Sequence, residues 1–224
     1  MSSLMTLRPR IIAVDGPAAS GKGTLARRLA RHFGFGFLDT GLLYRAVGLR
    51  LLRAGQDPAN EAAAIAAAGA VTAPELADPE LRSGPVGNAA SAVAKIPGVR
   101  QALLDLQRRF AAAPTDPQGK PLPGAVIDGR DIGTVICPDA PVKLFVNAAL
   151  ETRAKRRHKE LLERGEAIIY ARVLEDMERR DEQDRNRSVA PMAKAPDAFE
   201  IDTTRLDADG AFAAALSLIG SRLD

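Results

Sequence analysis

The sequence predicts an α/β protein, a parallel sheet covered by helices on both faces and interrupted by a helical insertion. Three observations carry this. Short apolar runs of strand length alternate with segments of helical periodicity. The first run ends in a glycine-rich turn with a helix directly behind it. The stretch 57–123 is rich in alanine and proline and offers no strand of its own. The chain has 224 residues, 46% hydrophobic and 26% charged, which fits one domain (1–224) with an insertion and excludes a disordered or fibrous class.

Arg10-Ile11-Ile12-Ala13-Val14-Asp15, ended by Gly16-Pro17, has the continuous apolar character of a buried parallel strand. Leu25, Leu29 and Phe33 then recur at four-residue spacing, with Arg27, Arg28 and Arg31 turned away, so an amphipathic helix runs to Gly34. Phe35–Asp39 reads as a second strand, and Leu43, Val47 and Leu51 mark a second helix. In the insertion, Val99, Leu103, Leu106 and Phe110 give the best helical face, and Pro114–Pro123 is a return loop. Strands resume at Ala125–Asp128 and Val142–Val146. Glu151–Arg164 is a strongly basic helix whose thin apolar face is Ala154, His158, Leu161 and Leu162, with Gly165 as its stop. Ile168–Arg187 follows, with Ile169, Val173 and Met177 as its stripe. Phe199–Ile201 is the last strand, and a last helix starts near Asp207.

Composition removes several functions. No apolar run approaches the ~18 residues a membrane span needs, and Met1–Arg10 lacks the apolar stretch of a secretory signal. A cytoplasmic protein with no membrane partner is therefore expected, and nothing demands more than a monomer. The lone Cys137 suits a reducing compartment and reads as a small buried hydrophobe. His32 and His158 are too few and too far apart for structural zinc. Lys and Arg number 31 against 28 Asp and Glu, and the basic excess between Arg8 and Arg53 favours a phosphate-bearing partner. Aromatics are only 4%, which disfavours a nucleic-acid platform built on base stacking.

Gly16-Pro17-Ala18-Ala19-Ser20-Gly21-Lys22-Gly23-Thr24 lies between the first strand and the first helix and nearly matches the phosphate-binding loop Gly-x4-Gly-Lys-[Ser/Thr]. Glycines let backbone N–H groups converge on phosphate oxygens, the helix N-terminus adds positive potential, and Lys22 adds a full charge. Gly23 occupies the usual hydroxyl slot, so Mg²⁺ ligation by the displaced Thr24 is less secure, and Asp128 at a strand end is a second metal candidate, through water. The loop alone leaves switch, motor, helicase and kinase open.

The arginines narrow this. The Val173–Met177 stripe continues at three- and four-residue spacing into Arg180, Asp184 and Arg187, so an apolar face becomes ionic while pointing the same way. Such a face lines a polar cleft, because burying unpaired charge is costly. The basic hairpin 151–187 suits a lid over a triphosphate, with Arg157 assigned to ATP although Arg153 is not separable from it on sequence.

Four further blocks stand in order along nearly the whole chain. They are Asp39-Thr40-Gly41 with Tyr44-Arg45, Asn88-Ala89-Ala90-Ser91, Ile127-Asp128-Gly129-Arg130-Asp131-Ile132-Gly133-Thr134-Val135, and Asp184-Arg185-Asn186-Arg187. With the Gly-Lys-Gly-Thr loop they resemble the bacterial cytidylate kinases, a nucleoside monophosphate kinase group of the P-loop kinases. The resemblance implies a P-loop NTPase-type five-stranded parallel sheet and γ-phosphoryl transfer from ATP to CMP or dCMP with Mg²⁺, a step of pyrimidine nucleotide metabolism. It implies that Thr40, Ser91, Arg100, Asp131 and Arg187 surround the cytidine, that Arg45 and Arg130 hold the acceptor phosphate, and that Arg180 and Asp184 meet the ribose and phosphate side. Lys22, Arg130, Arg180 and Arg187 would then be the catalytic cations, and 57–123 the acceptor-binding insertion. One departure stands out: where longer relatives insert a small antiparallel sheet, only Val71–Ser83 remains. Competing readings are a P-loop kinase for another acceptor, such as UMP, AMP or a non-nucleotide alcohol, and a nucleic-acid-associated ATPase, against which Asp39, Asp131 and Asp184 would repel a phosphate backbone.

Overall fold

A computed structural model describes residues 9–116, 118–220 and 222–223. Arg8 and nearly all of the segment used to judge a secretory signal lie outside the described residues. Five parallel strands form one sheet in the order β2-β3-β1-β4-β5, with β1 Arg10–Asp15, β2 Gly36–Asp39, β3 Gly124–Asp128, β4 Val142–Asn147 and β5 Phe199–Asp202. In register, Asp128 pairs with Asp39 on one side and Val14 on the other, so the carboxyl ends of β1, β2 and β3 finish side by side. A crevice at that edge is where open α/β sheets bind ligands. Strand two is one residue shorter than expected, because Phe35 lies outside the ladder and packs into the core.

Strands buried on both faces need two covers. On one face Ile12, Val14, Leu144 and Val146 pack against Leu25 and Leu29 of α1 (Lys22–Phe33) and Ala215 and Ile219 of α8 (Ala208–Ile219). On the other, Ala13, Ala125 and Ile127 meet Ala111 of α5 (Pro97–Ala112) and a π-helical turn at Ile132–Ile136. Cys137 is buried in this second layer, and burial raises its thiol to about 11.

A separate core joins α2 (Thr40–Arg53), α3 (Glu61–Gly69), α4 (Gly84–Val93) and α5 through Leu43, Val47, Ala64, Val93, Val99 and Leu103. Val71–Ser83 holds two 3₁₀ turns, Ala73–Ala77 and Pro79–Arg82.

The basic segment folds as a helical hairpin, α6 (Leu150–Glu163) and α7 (Tyr170–Asn186), closed by Ala154, Leu161, Val173 and Met177. Two expected apolar positions are corrected. Ile169 precedes α7 and is 73% exposed, and Leu162 is 52% exposed. The buried stripe of α7 instead runs Val173, Met177, Asp181, because Asp181 finds an ionic partner inside the hairpin. At its far end the hairpin touches the insertion, where Arg164 donates to Arg82 O at 2.8 Å.

Candidate active site

Everything at the site begins where β1 runs out. Gly16 has φ +139°, and a Cβ there would stand 2.0 Å from Val146 O, so only glycine lets the chain leave the sheet here. The loop reaches α1 through Gly21, also in the left-handed region at φ +86°. Lys22 folds back over it, donating to Pro17 O at 3.3 Å and lying 3.9 Å from Asp128 Oδ1. Burial, then the nearby Arg130, pull its ammonium down to about 8 against the attraction of Asp128. Asp128 is pushed up to about 6 by burial, opposed chiefly by Lys22. Its Oδ1 is buried with no hydrogen-bond partner.

A cavity of about 230 Å³ opens above this loop, walled by Lys22, Asp39, Arg45, Asp128, Arg130, Arg157 and Arg180 among others. Cations outnumber carboxylates on that wall, the arrangement that concentrates polyanions. Arg130 donates to Asp184 Oδ2 at 3.0 Å. Arg180 lies opposite, and its Nε is buried with no partner. Burial first, then Arg130, lower its pKa. A half-buried guanidinium with an open donor suits an anion. Arg45 donates to Leu81 O at 2.6 Å, and burial brings it down to about 10. Arg45, Arg157, Met177 and Arg180 also border a second cavity of about 670 Å³ between α4 and α7, which Ser91 lines. Two chambers therefore meet at the same arginines.

Behind them sits a buried ionic cluster. Asp131 is held by Arg100 at 2.5 Å and Arg187 at 3.5 Å, and Arg187 reaches Asp184 at 3.6 Å. The Arg100 guanidinium lies 5.6 Å from the Tyr44 ring centroid. Asp184 stays below the usual carboxylate range: burial would raise it, but Arg130, Arg180 and Arg187 together outweigh that. The sequence model of the family described as cytidylate kinase matches residues 12–220. The chain belongs to the cytidylate kinase family. It is 62% identical over 212 residues to the cytidylate kinase of Paramagnetospirillum magneticum, covering 95% of this chain and 98% of the relative. It is 58% identical over 212 residues to that of Methylobacterium sp., covering 95% and 97%. Among solved structures, an uncharacterized protein from Eubacterium ventriosum aligns with a TM-score of 0.52 at 18% identity, over 95% of this chain and 99% of the other, a likeness of fold alone.

In this member of the cytidylate kinase family, Lys22, Arg45, Asp128, Arg130, Arg157, Arg180 and Ser91 line the two chambers. Arg100, Asp131, Asp184 and Arg187 form the ionic cluster beside them. Two expected site residues stand off the chamber walls. Thr40 is buried and donates its hydroxyl to Asp128 O at 2.8 Å. Thr24 does not stand beside Asp128: it lines a separate recess of about 240 Å³ with Ser20, Arg156 and Thr203. The cause is helical phase, since one residue turns a side chain by about 100°. Gly23 faces Asp128 instead, and a Cβ there would come 3.0 Å from its Oδ2.

Structure also separates two arginines that sequence could not. Arg157 lines the chambers, whereas Arg153 is 3% exposed, paired with Asp181 at 2.7 Å and donating to Ala148 O at 2.8 Å and Ala18 O at 3.4 Å. It fastens the hairpin's root to the phosphate loop. Arg153→Met would leave the buried Asp181 with only the exposed Arg185 at 3.8 Å, and should lower the unfolding free energy by about 3–5 kcal/mol in denaturant titration. A loss under about 1 kcal/mol would contradict that role. Asp39, a strand-end carboxylate on the first cavity wall, was not among the expected site residues, although its place at the end of an apolar run was a usable signal.

Proposed function

We propose that this member of the cytidylate kinase family transfers the γ-phosphoryl group of ATP to CMP or dCMP, giving ADP and CDP or dCDP. The observation that carries this reading is the meeting of two chambers at Arg45, Arg157 and Arg180, with Arg130 on the wall of the first and a carboxylate clamped between guanidinium groups just behind. Transfer between two nucleotides brings several negative charges together, and the protein's contribution is positioning and charge compensation. The loop 16–24 and Lys22 hold the donor phosphates, and Arg157 closes on them from the hairpin. The recess holding Thr24, Arg156 and Thr203 adjoins the loop and suits the donor nucleoside. Arg45 and Arg130 hold the acceptor phosphate, and Arg180 and Arg187 spread the charge of the moving group.

An oxygen of the CMP phosphate attacks the γ-phosphorus in line. A new P–O bond forms as the bond to the β–γ bridging oxygen breaks, and ADP leaves with that oxygen. No general base is required, because the acceptor phosphate is already an anion. Asp131 accepts a hydrogen bond from the cytosine 4-amino group; uracil would present an oxygen there, leaving acceptor against acceptor. Ser91, Arg100 and Arg187 complete the cytidine's surroundings, and Asp184 keeps Arg130 and Arg180 aimed.

The residues present fit Mg²⁺. Asp128 offers a buried oxygen without a hydrogen-bond partner, and Asp39 supplies a second carboxylate on the same wall. Bound there, Mg²⁺ would neutralise charge on the donor phosphates; Thr24 faces another recess. The segment 57–123 acts as the acceptor-binding arm and 151–187 as the lid. No helix among the described residues is long and apolar enough to cross a membrane, and the reading is of a cytoplasmic monomer acting on free nucleotides rather than nucleic acid.

The test is turnover with ATP against CMP, dCMP, UMP, AMP and shikimate. CMP or dCMP should lead by at least ~10²-fold in kcat/KM. Equal or better use of another acceptor overturns the assignment.

A further inference from the structure

The loop that carries Arg130 and Asp131 leaves β3, passes over the end of β1 and enters the π-helical turn. It is fastened to β1 at two points. Gly129 N donates to Val14 O at 2.9 Å. Three and four residues on, Ile132 N and Gly133 N each donate to the carboxylate of Asp15, at 2.8 Å to Oδ1 and 2.8 Å to Oδ2. Arg130 and Asp131 lie between these anchors. The first anchor is tight on its own account, because a Cβ on Gly129 would meet Thr40 Oγ1 at 2.8 Å and Ile132 at 2.6 Å. The second depends on one side chain.

We infer that Asp15 is a positioning residue for CMP. It holds the Ile132 and Gly133 amides and so fixes where Arg130 meets the acceptor phosphate and where Asp131 meets the base. The inference rests on the phosphoryl-transfer reading above, and Asp15 is not expected to touch either nucleotide.

Two further observations support it. Asp15 is 5% exposed, and burial drives its pKa up to about 7 despite the two amide bonds, with Asp131 and Asp128 adding to the rise. A carboxylate whose folded pKa is raised stabilises the fold most below its unfolded value near 4, and that contribution is lost as pH rises through about 7. At pH 8 the ionised Asp15 is therefore a burden on stability, and a role in arranging the loop gives a reason for its place. In addition, the phosphate loop is held by contacts that do not pass through this side chain, including Thr203 Oγ1 to Ser20 O at 2.8 Å and the close approach of Gly16 to Val146 O. Loss of the carboxylate should disturb the acceptor side and spare the donor side.

Asp15→Asn tests this, because the amide keeps the shape and one acceptor but must turn an NH₂ toward the other backbone N–H. At pH 8 its Tm should stay within about 4 °C of the parent or rise, since the buried charge is gone. The KM for CMP should increase at least ~10-fold and kcat should fall, while the KM for ATP changes less than ~2-fold. Faster amide exchange at Ile132 and Gly133 should accompany this. Asp15→Ser, smaller and uncharged, keeps at most one acceptor for the two amides of Ile132 and Gly133, and the same CMP-selective defect is expected. Should Asp15→Asn fail to fold, Asp15→Ser alone decides. Parallel losses for CMP and ATP, or unchanged CMP kinetics, overturn the inference while leaving the kinase reading intact. Absence of CMP turnover in the unaltered protein would instead remove that reading itself.

Discussion

Lys22→Ala should abolish phosphoryl transfer, cutting kcat at least ~10³-fold, while the protein stays folded. Among the described residues its ammonium is the one lysine on the wall of the first chamber, and its contacts are Pro17 O and a distant Asp128 oxygen rather than a tight ion pair. Its charge is thus available to phosphate oxygens. The stability side has a definite sign. Burial lowers the folded pKa to about 8, so below pH 8 the lysine is charged in both states and its desolvation counts against folding; that penalty fades as pH rises toward the unfolded value. Removing the side chain at pH 7 relieves it, which offsets the loss to Asp128 of its nearest cation. Initial rates at saturating ATP and CMP, beside a thermal melt, check both halves. Turnover within tenfold of the parent would refute the donor-site assignment.

Asp131→Asn should change which pyrimidine is accepted. In the parent, Asp131 lies between two guanidinium groups and has only lone pairs to offer a base. The asparagine keeps one oxygen for Arg100 and presents an amide N–H that uracil's carbonyl can accept. The expected result is a fall of ~10²–10³-fold in kcat/KM for CMP, a KM for ATP within about threefold of the parent, and a UMP-to-CMP ratio raised at least tenfold. Asparagine is preferred to alanine because alanine would leave Arg100 and Arg187 buried without their shared counterion. Equal losses for CMP and ATP would show that the base lies elsewhere.

Much of this site was legible before any coordinates. The phosphate loop announces itself because strand, glycine turn and helix must be contiguous for backbone amides to converge. Arg180 and Asp184 were readable because one helix face stays one face for as long as the helix lasts, whereas Arg187 lies just past the last helical residue in extended backbone. The limit of that rule is equally visible. Arg153 and Arg157 share a face, yet one is locked against Asp181 at the hairpin's root and the other hangs over the cavities. Depth along a helix is set by what it packs against. Ile169 misled for a similar reason: its periodic position falls just before the first helical residue, where no partner covers it.

By itself the sequence determined the strand–helix alternation, the phosphate loop and the ionic blocks, because each of these is a pattern among near neighbours in the chain. Only the tertiary structure decided that Thr40 spends its hydroxyl on a backbone carbonyl and that Asp15 carries the loop of Arg130 and Asp131. Such contacts join residues far apart in the chain through backbone atoms that every residue possesses, so they leave no spacing or composition to read. They exist only once β3 has come to lie between β1 and β2.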